Sequence, residues 1–125
     1  MNLSQKYAQA EVSGLKQAEL ESRALIKAAS HLHQIQEHWD EHRGELEEAL
    51  EKNRKLWAIL ASAMKEDDCP QPLEIKRSIL NLAMFVFQRT VDTLATPAPQ
   101  KLDVLININM NIAKGLSGEA VDSAP

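Results

Sequence analysis

Residues 38–42 read HWDEH, and their types and spacing are those of metal chemistry. Two imidazoles four residues apart on a helix point the same way and can reach one ion, and H-x-x-E-H is the inverted spelling of the zincin motif. His38, Glu41 and His42 satisfy it. Projected onto one continuous helix, His31 joins them within about 20° of a line. A catalytic zinc site also needs a third rigid ligand, carboxylates behind the imidazoles and a substrate cleft. No later residue supplies a distinctive ligand, because Glu45, Glu47, Glu48 and Glu51 read as the solvated face of a helix. The expectation is therefore no bound metal, with His31, His38 and His42 as the only metal-binding alternative. Trp39 tucks into the fold while its polar neighbours face water.

Other chemistries find less support. Ser30, Ser62 and Ser78 fall at helix-interior positions without a glycine elbow or an assigned base. There is no phosphate loop and no dinucleotide fingerprint, so neither an enzyme nor a cofactor is expected. The one cysteine, Cys69, has no partner for an internal disulfide and reads as an inert thiol beside turn prolines, in keeping with a reducing cytosol.

Charge narrows the classes further. The net charge is -4, and residues 1–69 hold 13 acids against 9 bases while residues 70–125 hold 5 of each. Basic residues come at most in pairs, Arg54-Lys55 and Lys76-Arg77, whereas a nucleic-acid surface needs a clustered positive face. No apolar leader opens the chain and no run approaches a membrane span, which predicts a cytoplasmic protein.

The elements that must position these residues are helices. A chain of 125 residues with 44% apolar and 26% charged content suits one domain, and its many Ala, Leu, Glu, Gln and Lys against 4 Gly and few aromatics favour an all-α fold. The apolar spacing in ELESRALIKAASHLHQIQEHW predicts a first helix over residues 15–39, with Ser13 as the nearest cap and Asp40–Glu45 as the bend. A second follows over 45–64, ended by the Asp67–Pro72 segment. A third runs from Pro72 to about Ala95. Its apolar residues, centred on ILNLAMFVF, cover an arc of roughly 200° on the helical wheel, which suits either the central element of a bundle or the floor of a binding groove. After Thr96–Gln100 the period is ambiguous. Ile106, Ile108, Met110 and Ile112 alternate as in a strand, yet Leu102, Leu105, Ile106, Ile112, Ala113 and Leu116 gather on one helical face. With no strand to pair with, residues 100–114 are expected as a fourth helix, stopped by a left-handed Gly115. Residues 117–125 are expected as a disordered tail, leaving 1–116 as a single domain of about four helices.

Two amides stand out. Asn53 lies inside the stripe of Leu46, Leu50, Trp57, Leu60 and Met64, and Asn109 lies among Leu102, Leu105, Ala113 and Leu116. A buried amide without a partner costs about 1–3 kcal/mol, so each needs a hydrogen bond, to a helix end or to the other. They are either core amides that fix helix register or contacts to a partner.

The segments NRKLW (53–57) and LININMNIAKGL (105–116), together with ESRALIKAA and ILNLAMFVF, resemble the FlaF family of alphaproteobacterial flagellar-biosynthesis regulators, over about residues 7–116. The matching positions are Asn53, Arg54, Leu56 and Trp57, then Ile106, Ile108, Asn109, Asn111, Ile112 and Gly115. Asn107 and Met110 stand where the family pattern has an acid and a base. The resemblance implies a small cytoplasmic helical protein required for flagellin secretion and filament assembly, acting beside the regulator FlbT and binding flagellin. It implies no catalytic residues. Unassembled flagellin has amphipathic terminal helices, and a chaperone must offer them an apolar surface. The expected contacts are Asn53, Arg54, Trp57, Met84, Phe85, Asn109 and Asn111, on the second to fourth predicted helices. The alternative is a helical dimerisation adaptor that works through a FlbT-like regulator without touching flagellin.

Overall fold

The computed structural model describes the backbone of residues 3–117 and the side chains of residues 16–117. Among the described residues the chain is all-α: α1 (Leu3–Glu37), α2 (Trp39–His42), α3 (Leu46–Met64), α4 (Leu73–Ala95) and α5 (Leu102–Ser117), with single 3-10 turns at Arg43–Glu45 and Pro99–Lys101. The expected small helical bundle is what forms. The tail expected over residues 117–125 lies outside the described residues except for Ser117, the last residue of α5.

The long elements follow local chemistry. Helices α3 and α4 begin and end within a residue of expectation, because Pro70 and Pro72 cannot continue a helix and Pro72 supplies an extended residue before Leu73 (φ -58°, ψ 152°). Three boundaries differ. Helix α1 starts at Leu3 rather than at residue 15, since residues 3–14 hold good helix formers and no proline, so Ser13 is helix interior and not a cap. The break after α1 falls at His38, whose backbone leaves the helical region (φ -124°, ψ 52°), and not at Asp40. Helix α5 runs through Gly115 to Ser117, whose hydroxyl donates back to the Lys114 carbonyl (3.0 Å), so Gly115 is no terminator. The strand reading of Ile106–Ile112 gives way to a helix because the opposite period, with Leu102, Leu105, Asn109 and Ala113, is the one that is buried.

Packing is led by α1 and α5, which lie antiparallel along the broadest interface in the molecule. The Ser22 hydroxyl donates to the Ala113 carbonyl (2.9 Å) at one end, and Gln36 Nε2 donates to Asp103 Oδ1 (2.6 Å) and the Pro99 carbonyl (2.9 Å) at the other. Helix α3 packs on α1, α4 packs on α3, and α4 meets α5 only lightly. The core joins Leu25, Leu32 and Ile35 of α1 with Leu50, Trp57 and Leu60 of α3, Ile79 and Val86 of α4, and Leu102 and Leu105 of α5. Each fully buried Leu or Ile contributes about 1.5–3 kcal/mol. Helix α4 is therefore a rim element, not the central one: its core face is Ile79, Ala83 and Val86, with Leu80, Leu82 and Phe87 half-buried beside them, and Leu73, Met84, Val91 and Leu94 of its apolar arc stay exposed. No described helix is long and apolar enough to cross a membrane.

Candidate functional site

The histidine cluster sits where α1 turns into α3. The break at His38 removes the continuous stripe that three aligned imidazoles required. His31 Nε2 instead meets Glu45 Oε1 at 2.9 Å and His42 Nδ1 meets Glu45 Oε2 at 2.6 Å, while His38 and His42 stack edge to face with ring centroids 6.1 Å apart. Hydrogen bonds from the two imidazoles hold the Glu45 carboxyl below its ordinary pKa. Because the two rings address different oxygens, their nitrogens do not converge on one ion, and among the described residues no three His, Cys, Asp or Glu side chains are placed to hold a metal. Glu45 is thus a clasp across the joint, made by a carboxylate that stays exposed like Glu47 and Glu48. Trp39 is half-buried against the core, with the Arg43 guanidinium 5.7 Å from its ring centroid.

The interior holds the residues that sequence spacing singled out. Asn53, Trp57 and Asn109 have no solvent exposure. The Trp57 indole N–H donates to Asn109 Oδ1 (2.9 Å), and Asn109 Nδ2 donates to Asn53 Oδ1 (2.7 Å) and to the Leu25 carbonyl (3.2 Å). Asn109 therefore ties α1, α3 and α5 together through one amide. Asn53 Nδ2 has no partner, so both N–H donors of that amide are left unsatisfied. As direct contacts to a partner, these three residues are corrected by their burial: they do not reach the surface of this fold. Their amides found each other, as one of the two expected solutions had it.

The other expected contacts are accessible. Arg54 is half-buried, and its Nε donates to both Glu51 oxygens at 3.1 Å. That bond lowers the Glu51 carboxyl and raises the Arg54 guanidinium. Asn111 is exposed on α5. Met84 is 59% exposed, and Phe85, 37% exposed, carries the Arg89 guanidinium 5.6 Å from its ring centroid. Being successive residues of a helix, Met84 and Phe85 point about 100° apart and belong to different sides of α4. Reading from sequence alone misses Leu73, Val91 and Leu94, which are 62%, 67% and 40% exposed. Their signal was present in the wide apolar arc, but only the placement of α3 and α5 tells which part of that arc is left open.

A family model described as Flagellar protein FlaF matches residues 3–116, a span that takes in α1 to α4, all of α5 but its last residue, the Asn109 network and the open side of α4. No curated protein and no solved structure matches the chain. The NRKLW and LININMNIAKGL segments that carry the resemblance supply Asn53, Trp57 and Asn109, the polar node of the core, and with a match over that span the chain belongs to the FlaF family of flagellar proteins.

Proposed function

We propose that this flagellar protein is a cytoplasmic secretion chaperone or adaptor that binds unassembled flagellin, and that it acts by binding alone, with no catalytic step. The observation that supports the reading is the apolar surface of α4. Its core face is already complete with Ile79, Ala83 and Val86, yet Leu73, Met84, Val91 and Leu94 remain exposed on the same helix. Apolar side chains gathered on one exposed element mark interaction surfaces. Amphipathic terminal helices of unassembled flagellin are the kind of chain such a surface would shield. Arg54, Phe85 and Asn111 are the other accessible groups of the reading, and Asn53, Trp57 and Asn109 serve by holding α3 and α5 in register.

Co-purification from flagellated cells, followed by mass spectrometry, tests this. The expected outcome is flagellin recovered with the full-length chain. Recovery of a FlbT-like regulator with no flagellin would assign the protein to translational control instead.

A further inference from the structure

Four of the exposed apolar residues of α4, Leu73, Met84, Val91 and Leu94, share one spacing with the half-buried Leu80 and Phe87, while the exposed Ile75 and Phe85 lie off it. Leu73, Leu80, Met84, Phe87, Val91 and Leu94, with Arg77 in the remaining place, are separated alternately by four and three residues. That is the 3.5-residue period of a coiled-coil seam, and it runs about 30 Å along the helix. It is distinct from the set that packs inward, Ile79, Ala83, Val86, Thr90 and Thr93, all of which are buried. Leu80 and Phe87 are half-buried against the core, so the seam has a firm backing, whereas Leu73, Met84 and Val91 stand out from it.

We infer that this seam is a docking surface for one amphipathic α-helix of the partner, whose apolar residues repeat at the same alternating spacing and which carries a carboxylate opposite Arg77. The period selects a helix, because knobs spaced this way fill the holes of another helix. An added strand is excluded by the backbone of α4, which is bonded within its own helix and has no edge to offer. The charge follows from Arg77, which is exposed inside the apolar row and next to Lys76. Among the described residues neither has an ion-pair partner, so both charges are free to meet one on the docked helix. A cation in the seam disfavours an uncharged apolar partner at that point and favours an acid. This rests on the flagellin reading, in which the docked helix is one of flagellin's own terminal helices.

Isothermal titration of the full-length chain with purified monomeric flagellin tests it, using Val91→Asp, Arg77→Glu and, as a control on an unrelated exposed apolar residue, Leu20→Asp. Circular dichroism of each variant should match the wild type, because Leu20 and Val91 are 59% and 67% exposed. The expected result is a loss of about a hundredfold in affinity for Val91→Asp, about tenfold for Arg77→Glu, and no more than about twofold for Leu20→Asp. Wild-type affinity should also fall with added salt, and Arg77→Gln should flatten that fall. Equal binding by wild type, Val91→Asp and Arg77→Glu would overturn the seam while leaving flagellin as the partner. No binding by the wild type would overturn the flagellin reading and the seam with it. A wild-type dimer in light scattering that becomes a monomer in Val91→Asp would give the seam to a second copy of this chain and overturn the assignment.

Discussion

At the centre of the bundle Asn53, Trp57 and Asn109 are wholly enclosed, and on the outer side of α4 Leu73, Met84 and Val91 each leave more than half of their surface in water, at 62%, 59% and 67%. The first region spends polar groups where apolar ones would pack more simply, and the second leaves apolar groups where polar ones would dissolve better. Each departure works against stability or solubility and each is concentrated on one element or node. The inner one, Asn53 Nδ2 apart, has its partners within the fold: Asn109 uses its oxygen and both amide hydrogens on three other residues. Such a node fixes helix register, because sliding any helix leaves a buried group unpaired. The outer one has no partner within the fold, which is why it supports a binding function and the inner one does not.

The largest expected effect breaks the inner region. Asn109→Leu leaves the Trp57 N–H and Asn53 Oδ1 enclosed without partners, and should cost about 2–5 kcal/mol in urea denaturation. A triple variant, Asn53→Leu with Trp57→Phe and Asn109→Leu, removes the stranded groups together and should recover part of that loss. A triple variant as unstable as the additive sum would show that packing, and not hydrogen bonding, is what Asn109 contributes.

Asn53→Leu sharpens the same point with a smaller effect. It removes the unpaired Nδ2 as well as the acceptor for Asn109, whose amide keeps the Leu25 carbonyl. The expected change is within about 1 kcal/mol, well below that of Asn109→Leu, and an equal loss from both would place the node on Asn53.

On the outer region the contrast reverses. Met84→Ser or Val91→Ser should shift stability by no more than about 0.5 kcal/mol in the same denaturation, since neither side chain is enclosed. A clear destabilisation by either would mean that the α4 face is structural and would erase the difference between the two regions.

The smallest effect concerns the joint. Glu45 has a folded pKa below its unfolded one, so its contribution to stability is present above the ordinary carboxylate range and is lost as pH falls through the depressed value. The gap in urea midpoint between wild type and Glu45→Gln should therefore close as pH is lowered below about 4. A gap that persists at the acid end would show that the imidazole contacts at His31 and His42 do not stabilise the fold through charge.

Much of this architecture is legible in the residues. Prolines at 70, 72, 97 and 99 delimit α4 because they cannot donate within a helix, and the apolar spacing of Leu46, Leu50, Trp57, Leu60 and Met64 defines the buried side of α3. The same spacing places Asn53 and Asn109 inside buried stripes. Less is legible where signals are weak. Nothing in residues 3–14 stops a helix, so a polar composition was no guide to its start, and Lys114-Gly115-Leu116 spells a stop that the packed helix α5 does not obey. The break at His38 has no glycine or proline to announce it, and so the alignment of His31, His38 and His42 existed only on an ideal helix.

The sequence by itself determined the helical class, the extents of α3 and α4 and the family, because these depend on propensity, on chain breakers and on the order of residues within single helices. Tertiary structure decided which side of each helix is covered. It joined Asn109 to Asn53 and Trp57 across a separation of more than fifty positions, gave Glu45 to two imidazoles, and left one seam of α4 open. Burial belongs to the assembled bundle: a helical wheel fixes which residues lie together, and only the neighbouring helices fix which of them meet water.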